Sequence, residues 1–96
     1  MIIYIAGKMK GLPDKGREKF DATADKLKSE GNIVLNPAGL PDGMPGDRYM
    51  PICLAMVSAA DAVYALEDWP LSNRAVLEVS FAIYQGKKVL FQTQEE

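Results

Sequence analysis

The stretch Trp69–Ala82, WPLSNRAVLEVSFA, is predicted to leave a loop and enter a helix that is apolar on almost every face. One carboxylate, Glu78, lies near the start of this helix. A charged group in so apolar a helix needs a physical reason, because burying an unpaired carboxylate is costly. Glu78 is therefore the first candidate functional residue, and the other segments are interpreted in relation to it.

The composition limits the function classes. A chain of 96 residues, 48% hydrophobic and 25% charged, indicates a single domain over residues 1–96. The net charge of −2 argues against a nucleic-acid polymer as partner. There is no apolar run of about 18 residues, so no membrane span is expected. Met1 leads into an apolar strand without a basic region before it, so we expect a cytoplasmic protein.

Histidine is absent and Cys53 is the single cysteine. The commonest general base and the commonest transition-metal ligand are therefore both missing, and one thiol cannot form a zinc cluster. We expect no metal and no cofactor. Any acid–base or nucleophilic chemistry must rest mainly on carboxylates.

Four apolar segments alternate with three helical ones. The predicted strands and helices, in chain order, are Ile2–Ala6, Lys15–Glu30, Ile33–Leu35, Arg48–Ala60, Asp61–Leu66, Asn73–Gln85 and Lys87–Phe91. Asp14 is predicted to cap the first helix and Asp47 the second, with Pro51 in its first turn. The polar tail Gln92–Glu96 is expected to fray.

This alternation predicts an α/β fold, a Rossmann- or flavodoxin-like three-layer sandwich with a four-stranded parallel sheet of order 2-1-3-4. Ligands in such folds bind beyond the carboxyl ends of the strands, at the switch between strands 1 and 3. The loops Gly7–Pro13 and Asp68–Ser72 should border that crevice, and Glu78 should point toward it. The long Gly- and Pro-rich loop Ala38–Asp47 is typical of a lid or binding loop.

The first loop combines two glycines with two lysines. Gly7 and Gly11 allow backbone amides to approach a ligand closely. Lys8 and Lys10 make the loop cationic, which either favours a phosphorylated ligand or reflects plain solvation. The spacing matches neither a dinucleotide fingerprint nor a P-loop, so a simple turn remains an alternative.

The last two predicted helices lack a clear polar face. Between Tyr49 and Gly86 there are five charged residues, namely Asp61, Glu67, Asp68, Arg74 and Glu78. A small domain should leave one side of each helix in contact with water. We therefore expect these helices to pack in a homodimer or a larger homo-oligomer.

A set of short motifs resembles the nucleoside 2-deoxyribosyltransferase-like proteins. The motifs are Ile3–Gly7 with Met9 and Gly11, Asn36-Pro37, Tyr49-Met50, Asp61–Val63, and Trp69 with Ser72 and Glu78. The chain is most similar to a short bacterial and phage subgroup known as a domain of unknown function, and a related branch hydrolyses 2′-deoxynucleoside 5′-monophosphates. The resemblance covers essentially the whole chain. It implies a Rossmann-like, usually oligomeric protein that acts on the N-glycosidic bond of a deoxynucleoside or deoxynucleotide.

The resemblance also implies roles for individual residues. Glu78 matches the nucleophile, which attacks C1′ and expels the base before water or a second base releases the sugar with retention. Ser72 matches the serine that holds the 5′-phosphate or 5′-hydroxyl. The implied substrate-binding residues are Gly7, Lys8, Met9, Gly11, Asp68, Trp69 and Ser72.

Plainer roles remain open for four of these residues. Glu78 could pair with Arg74 four positions earlier, and Ser72 could simply cap the helix. Asp68, the candidate sugar contact, could be a turn residue. Trp69 could pack at the rim instead of stacking on a base.

Two positions depart from the family pattern. The family usually has an aspartate eight residues before the aspartate of strand 3, where this chain has Cys53, predicted to be a small buried residue. A thiol cannot supply the same acid–base function near neutral pH, and Asp47 or Asp68 are the alternatives that could replace it. Lys8 stands where close relatives usually have proline. The open hypotheses are an active enzyme, a nucleotide-binding module, and a structural protein that interacts through its apolar helices.

Overall fold

The computed structural model describes residues 1–93. Within this range the strands are β1 (Ile2–Ala6), β2 (Ile33–Leu35), β3 (Ala62–Ala65) and β4 (Lys88–Phe91). The α-helices are α1 (Arg17–Ser29), α2 (Gly46–Ala59) and α3 (Asn73–Tyr84). Short 3₁₀ turns lie at Pro13–Gly16, Pro37–Gly39 and Trp69–Leu71. No helix in the described range is long and apolar enough to cross a membrane.

The sheet confirms the predicted topology. All three strand pairs are parallel, and the order is β2-β1-β3-β4. In the central pair Ile3 lies opposite Ala62, and Ala6 lies opposite Ala65. The carboxyl ends of β1 and β3 therefore lie side by side, and this is where a parallel sheet of this order opens a crevice.

Helices cover both faces of the sheet, as predicted. Ile3 and Ile5 of β1 pack in one buried cluster with Phe20 of α1. Tyr4 belongs to the other cluster, with residues of α2 and α3. Because both faces are covered, the strand is apolar without alternation. The hydroxyl of Tyr4 is buried on the side of α2 and α3, where it requires a hydrogen-bond partner.

The start of α1 differs from the prediction. The helix begins at Arg17, and Asp14 does not cap it. Asp14 and Lys15 have φ angles of +48° and +56°, and Gly16 follows with a φ of +73°. Three consecutive left-handed residues cannot belong to a right-handed helix. The segment instead forms a short left-handed turn before α1 begins.

The start of α2 also differs. The helix begins at Gly46 directly after Pro45, so Asp47 lies inside the first turn and does not cap it. Pro51 is consequently the sixth helical residue and lies in the second turn, not the first. Its missing N–H leaves the carbonyl of Asp47 without its usual helical partner.

Gln92, the first residue after β4 and part of the tail that was predicted to fray, is held by hydrogen bonds. The backbone N–H of Gln92 donates to the carbonyl of Ala65 at 2.9 Å. Its side-chain oxygen accepts from the N–H of Glu67 at 3.0 Å. Gln92 is therefore not frayed, and residues 94–96 of the predicted tail lie outside the described residues.

Candidate active site

A cavity of about 680 Å³ lies beyond the carboxyl ends of the strands. Three connections border it: the loop after β1, the loop after β2 that leads into α2, and the start of α3. The lining residues are Gly7, Lys8, Met9, Lys10, Lys15, Arg17, Pro37, Ala38, Leu40, Asp42, Gly46, Tyr49, Cys53, Leu71, Ser72, Asn73 and Arg74. This volume is typical of sites for small molecules of nucleotide size.

Four of the predicted binding residues line this cavity, namely Gly7, Lys8, Met9 and Ser72. Position 7 favours glycine, because a Cβ there would lie 2.6 Å from Cδ1 of Leu66. The chain therefore turns into the cavity wall directly after β1.

The other three predicted binding residues are not among the described residues of the lining. Asp68 accepts a hydrogen bond from the backbone N–H of Lys8 at 3.0 Å and forms an ion pair with Lys19. Trp69 packs on Phe91, with ring centres 5.9 Å apart. Gly11 has a φ of +83° and turns the first loop. Their direct contact with a substrate stays a prediction.

Ser72 caps α3. Its Oγ accepts a hydrogen bond from the backbone N–H of Ala75 at 3.1 Å, and its carbonyl accepts from Val76. The cap uses the oxygen as acceptor and leaves the hydroxyl hydrogen free to donate. The cap and the predicted contact with a phosphate or hydroxyl are therefore compatible, since Ser72 also faces the cavity.

Glu78 lies in the second turn of α3, is only 2% exposed, and is not among the described residues that line the cavity. Its opening toward the crevice therefore stays a prediction. Its Oε2 accepts a hydrogen bond from the hydroxyl of Tyr4 at 2.8 Å. Burial raises the pKa of Glu78 to about 7, against the opposing effects of the Tyr4 hydrogen bond, the charge of Arg74 and a hydrogen bond with Cys53. Near neutral pH the carboxyl group is therefore close to its titration midpoint, and such a perturbed pKa is common at functional sites.

Arg74 does not form the helical ion pair that was the alternative role for Glu78. Within residues 1–93 no contact of ion-pair length joins the two side chains. The guanidinium instead lies over the ring of Tyr49, with its Cζ 5.5 Å from the ring centre. Arg74 thus faces the cavity, and its nearby charge lowers the pKa of Glu78.

Cys53 connects the cavity to Glu78. It is 1% exposed, as predicted for a small buried residue, and it belongs to the same cluster as Tyr4. Burial raises the pKa of the thiol, which is therefore neutral near pH 7. Neither Asp47 nor Asp68 belongs to the described lining, so neither brings a carboxylate to this wall.

Sequence reasoning missed Tyr4 and Asp42. A tyrosine inside a wholly apolar strand was the available signal for Tyr4, because a buried hydroxyl needs a partner. Asp42 lies in the long loop and is the one carboxylate among the described lining residues. Nothing in its local sequence distinguishes it from an ordinary turn residue.

The lining carries five cationic side chains, although the whole chain has a net charge of −2. They are Lys8, Lys10, Lys15, Arg17 and Arg74. Such a concentration of one sign favours an anionic ligand. No group of three His, Cys, Asp or Glu side chains able to hold a metal occurs among the described residues.

Several solved structures share this fold, among them the following two. A 2-deoxyribosyltransferase from Leishmania mexicana is 22% identical with a TM-score of 0.76, over 94% of this chain and 62% of that one. A CMP N-glycosidase from Clostridium botulinum is 20% identical with a TM-score of 0.71, over 95% of this chain and 70% of that one. The chain thus spans 62% of the length of the Leishmania enzyme. The chain therefore has the fold of these two enzymes, as the sequence motifs indicated.

A family model confirms the predicted relationship. The domain of unknown function DUF4406 matches residues 1–91, so the chain belongs to that family. A sequence search of curated proteins gave no match.

Proposed function

We propose that this protein cleaves or transfers at the N-glycosidic bond of a 2′-deoxynucleoside or its 5′-monophosphate, with Glu78 as nucleophile. The observation that carries the proposal is the buried Glu78, hydrogen-bonded to Tyr4 beside a cationic cavity of nucleotide size. The two fold neighbours, named a 2-deoxyribosyltransferase and a CMP N-glycosidase, support glycosidic-bond chemistry.

The proposed reaction proceeds in two displacements. A carboxylate oxygen of Glu78 forms a bond to C1′ while the bond from C1′ to the base nitrogen breaks, and the base leaves with that electron pair and takes up a proton from solvent. Water, or a second base, then attacks C1′ and loses a proton to solvent, while the bond from C1′ to Glu78 breaks and releases the carboxylate, which gives net retention. The approach is from the side of Cys53 and Arg74, which line the cavity and interact with Glu78 behind them.

Tyr4 has a distinct part in this scheme. Burial, followed by the charge of Glu78, raises the pKa of Tyr4 well above its usual value. The phenol therefore stays protonated and donates its hydrogen bond to Oε2 of Glu78. This leaves the other carboxylate oxygen for C1′ and fixes the side chain before substrate arrives.

The loops would hold the remaining parts of the substrate. Gly7 and Met9 would face the base and sugar, with Gly11 and Asp68 shaping that loop and Trp69 closing its rim. At the start of α3, Ser72 would donate its hydroxyl hydrogen to a 5′-phosphate or 5′-hydroxyl. The positive charge of Lys8 favours the phosphate.

Base release measured by chromatography tests the proposal. The full chain is incubated with each of the four deoxynucleosides, their 5′-monophosphates and the ribose analogues. Glu78→Gln should reduce base release by about a thousandfold or more, because a carboxamide is a poor nucleophile. Glu18→Gln, which removes an exposed carboxylate of α1, is the matched control. Undiminished base release by Glu78→Gln would show that the assignment of the nucleophile is wrong.

A second candidate function follows from Cys53. Its neutral thiol supplies no proton transfer at the position where the family usually has an aspartate. The alternative is a module that binds a deoxynucleotide without turning it over. Thermal stabilisation by a deoxynucleotide without release of its base would favour this alternative, and a faster release by Cys53→Asp would identify the thiol as the limiting feature.

We also propose that the protein assembles as a homodimer or larger homo-oligomer through α2 and α3. Their outer surface exposes large apolar side chains, namely Ile52, Val76, Leu77, Ile83 and Tyr84. The two charged residues of α3, Arg74 and Glu78, are directed to the cavity and the interior. The exposed charged residues of α2, Asp47 and Arg48, lie in its first turn. An exposed apolar surface of this kind is typical of a protein interface.

A further inference from the structure

Three of the five cations of the cavity, Arg74, Lys15 and Arg17, form a path that is linked by contacts with Tyr49 and Asp42. The ring of Tyr49 lies between two of them, with Nζ of Lys15 at 5.8 Å and Cζ of Arg74 at 5.5 Å from the ring centre. Arg74 belongs to the first turn of α3, next to Ser72. The path therefore begins at the start of α3 and passes Tyr49 to reach Lys15.

Arg17 extends this path. Its Nη1 donates to the carbonyl of Ala38 at 2.6 Å, which fixes the guanidinium against the loop that follows β2. Its Nη2 reaches Oδ1 of Asp42 at 3.3 Å, and Nζ of Lys15 reaches the same oxygen at 3.1 Å. Two cations, Lys15 before α1 and Arg17 at its first residue, thus converge on one carboxylate, and Nε of Arg17 also lies 3.4 Å from Oδ2 of Asp14.

Asp42 occupies the position that an anionic ligand group would take on these two cations. The hydrogen bond and charge of Lys15, and then the charge of Arg17, hold the pKa of Asp42 below its usual value. The side chain of Asp42 is 66% exposed. Ion pairs this exposed are weak, so a ligand oxygen with higher charge can replace the carboxylate.

The number of negative charges on a ligand decides whether it can replace the carboxylate of Asp42 on Lys15 and Arg17. A single 5′-phosphate would be satisfied at the start of α3 by Ser72, the first free amides and Arg74. Lys15 and Arg17 would then remain paired with Asp42. A chain of two or three phosphates carries more charge and extends past Tyr49 to the second pair of cations.

Resting on the proposed function and extending its range of ligands, we propose that the same cavity also takes a deoxynucleoside 5′-diphosphate or 5′-triphosphate and binds it more tightly than the 5′-monophosphate. Its outer phosphates replace Asp42 on Lys15 and Arg17. The cavity then has two anion subsites, one at the start of α3 and one at the clasp formed by Lys15, Arg17 and Asp42. Asp42 acts as an internal competitor that weakens binding of the outer phosphates.

Calorimetric titration of the full chain in magnesium-free buffer tests this proposal. The probes are the mono- and triphosphates of each deoxynucleoside, together with inorganic phosphate and tripolyphosphate, which cannot be turned over at a glycosidic bond. The triphosphate should bind at least about tenfold more tightly than the monophosphate of the same base. Equal affinities, or no binding of any probe, would overturn the proposal.

Three variants separate ligand binding from a structural role of the clasp. Lys15→Gln should remove most of the preference for triphosphate, whereas Lys28→Gln, an exposed lysine of α1 outside the cavity, should not. Asp42→Asn should tighten triphosphate binding several-fold and leave monophosphate binding unchanged. A merely structural clasp predicts the opposite sign, with weaker binding of both ligands by Asp42→Asn.

The two proposals fail in different ways. Base release from a monophosphate together with equal affinities for mono- and triphosphates would leave the proposed function intact and exclude the second anion subsite. Tight triphosphate binding that depends on Lys15, without release of any base, would support the subsite and exclude the proposed enzymatic activity.

Discussion

Glu78 is buried and titrates near neutrality, and this combination makes stability depend on pH. Its pKa is about 7 in the folded protein, against 4.5 for an unperturbed glutamate carboxyl group. Between these values the folded state binds more protons than the unfolded state, so stability falls as pH rises. The contribution is fully present below about pH 4.5 and is lost above about pH 7, a difference of about 3 kcal/mol.

Glu78→Gln should remove this dependence. The free energy of unfolding of the variant minus that of the wild type should be about 3 kcal/mol larger at pH 8 than at pH 4.5. The reason is that the variant has no charge to bury at the higher pH. Urea denaturation at the two pH values measures the difference. Glu18→Gln should show no comparable gain, and parallel stability curves for Glu78→Gln and wild type would contradict the buried titrating carboxyl group.

The sequence identified Glu78 but not its partner. A carboxylate in an apolar helix is visible in a single sequence, because the surrounding residue types are local. Tyr4 lies 74 positions away along the chain, and only the parallel pairing of β1 with β3 and the packing of α3 bring them together. The raised pKa of Glu78 could not be predicted either, since it depends mainly on burial by distant residues.

At the level of elements, the turn after β1 depends on one small residue. Gly7 is buried, and a methyl group there would meet Cδ1 of Leu66 at 2.6 Å and its Cβ at 3.0 Å. Gly7→Ala should therefore lower the free energy of unfolding by about 1–3 kcal/mol through overpacking. Urea denaturation at pH 7 provides the measurement.

Gly39→Ala is the matched control for this prediction. Gly39 lies in a neighbouring loop, and a Cβ there would have no atom within 4 Å. Its free energy of unfolding should stay within about 0.5 kcal/mol of wild type, or rise, because alanine restricts the unfolded chain. If both substitutions changed the free energy of unfolding equally, the contact with Leu66 would not be the reason that position 7 requires glycine.

The order of elements was predictable, whereas two helix starts were not. Alternating apolar strands and helices determine the parallel sheet, and short connections leave few topologies. Capping rules placed helix starts at Asp14 and Asp47, yet a left-handed turn through Gly16 delays α1 and Pro45 starts α2 early. At both positions a glycine or a proline, and not the nearby aspartate, occupies the residue before the helix.

At the level of the whole molecule, the proposed assembly follows from the apolar surface of α2 and α3. Leu77 is 50% exposed and Tyr84 is 88% exposed. Sedimentation velocity at micromolar concentration should therefore show a dimer or larger species. Leu77→Lys should shift the distribution to monomer, because a lysine at the centre of an apolar interface is left without a partner.

Ala22→Lys on the exposed side of α1 is the control for assembly. It introduces the same charge on the opposite face of the sheet, where no interface is proposed, and it should leave the sedimentation coefficient of the wild type unchanged. A monomeric wild type at micromolar concentration would contradict the proposed interface.

The most direct test of the central claim is whether Glu78 becomes covalently attached to the sugar. A fluorine at C2′ destabilises the oxocarbenium-like transition states and should slow release of the sugar after the base has left. Peptide mass spectrometry after incubation with 2′-fluoro-arabinosyl nucleosides and nucleotides should find one fluorinated sugar on the peptide that contains Glu78, and none in Glu78→Gln. Base release with Glu78 unmodified, or with the sugar on another residue, would contradict the assignment of Glu78 as the nucleophile.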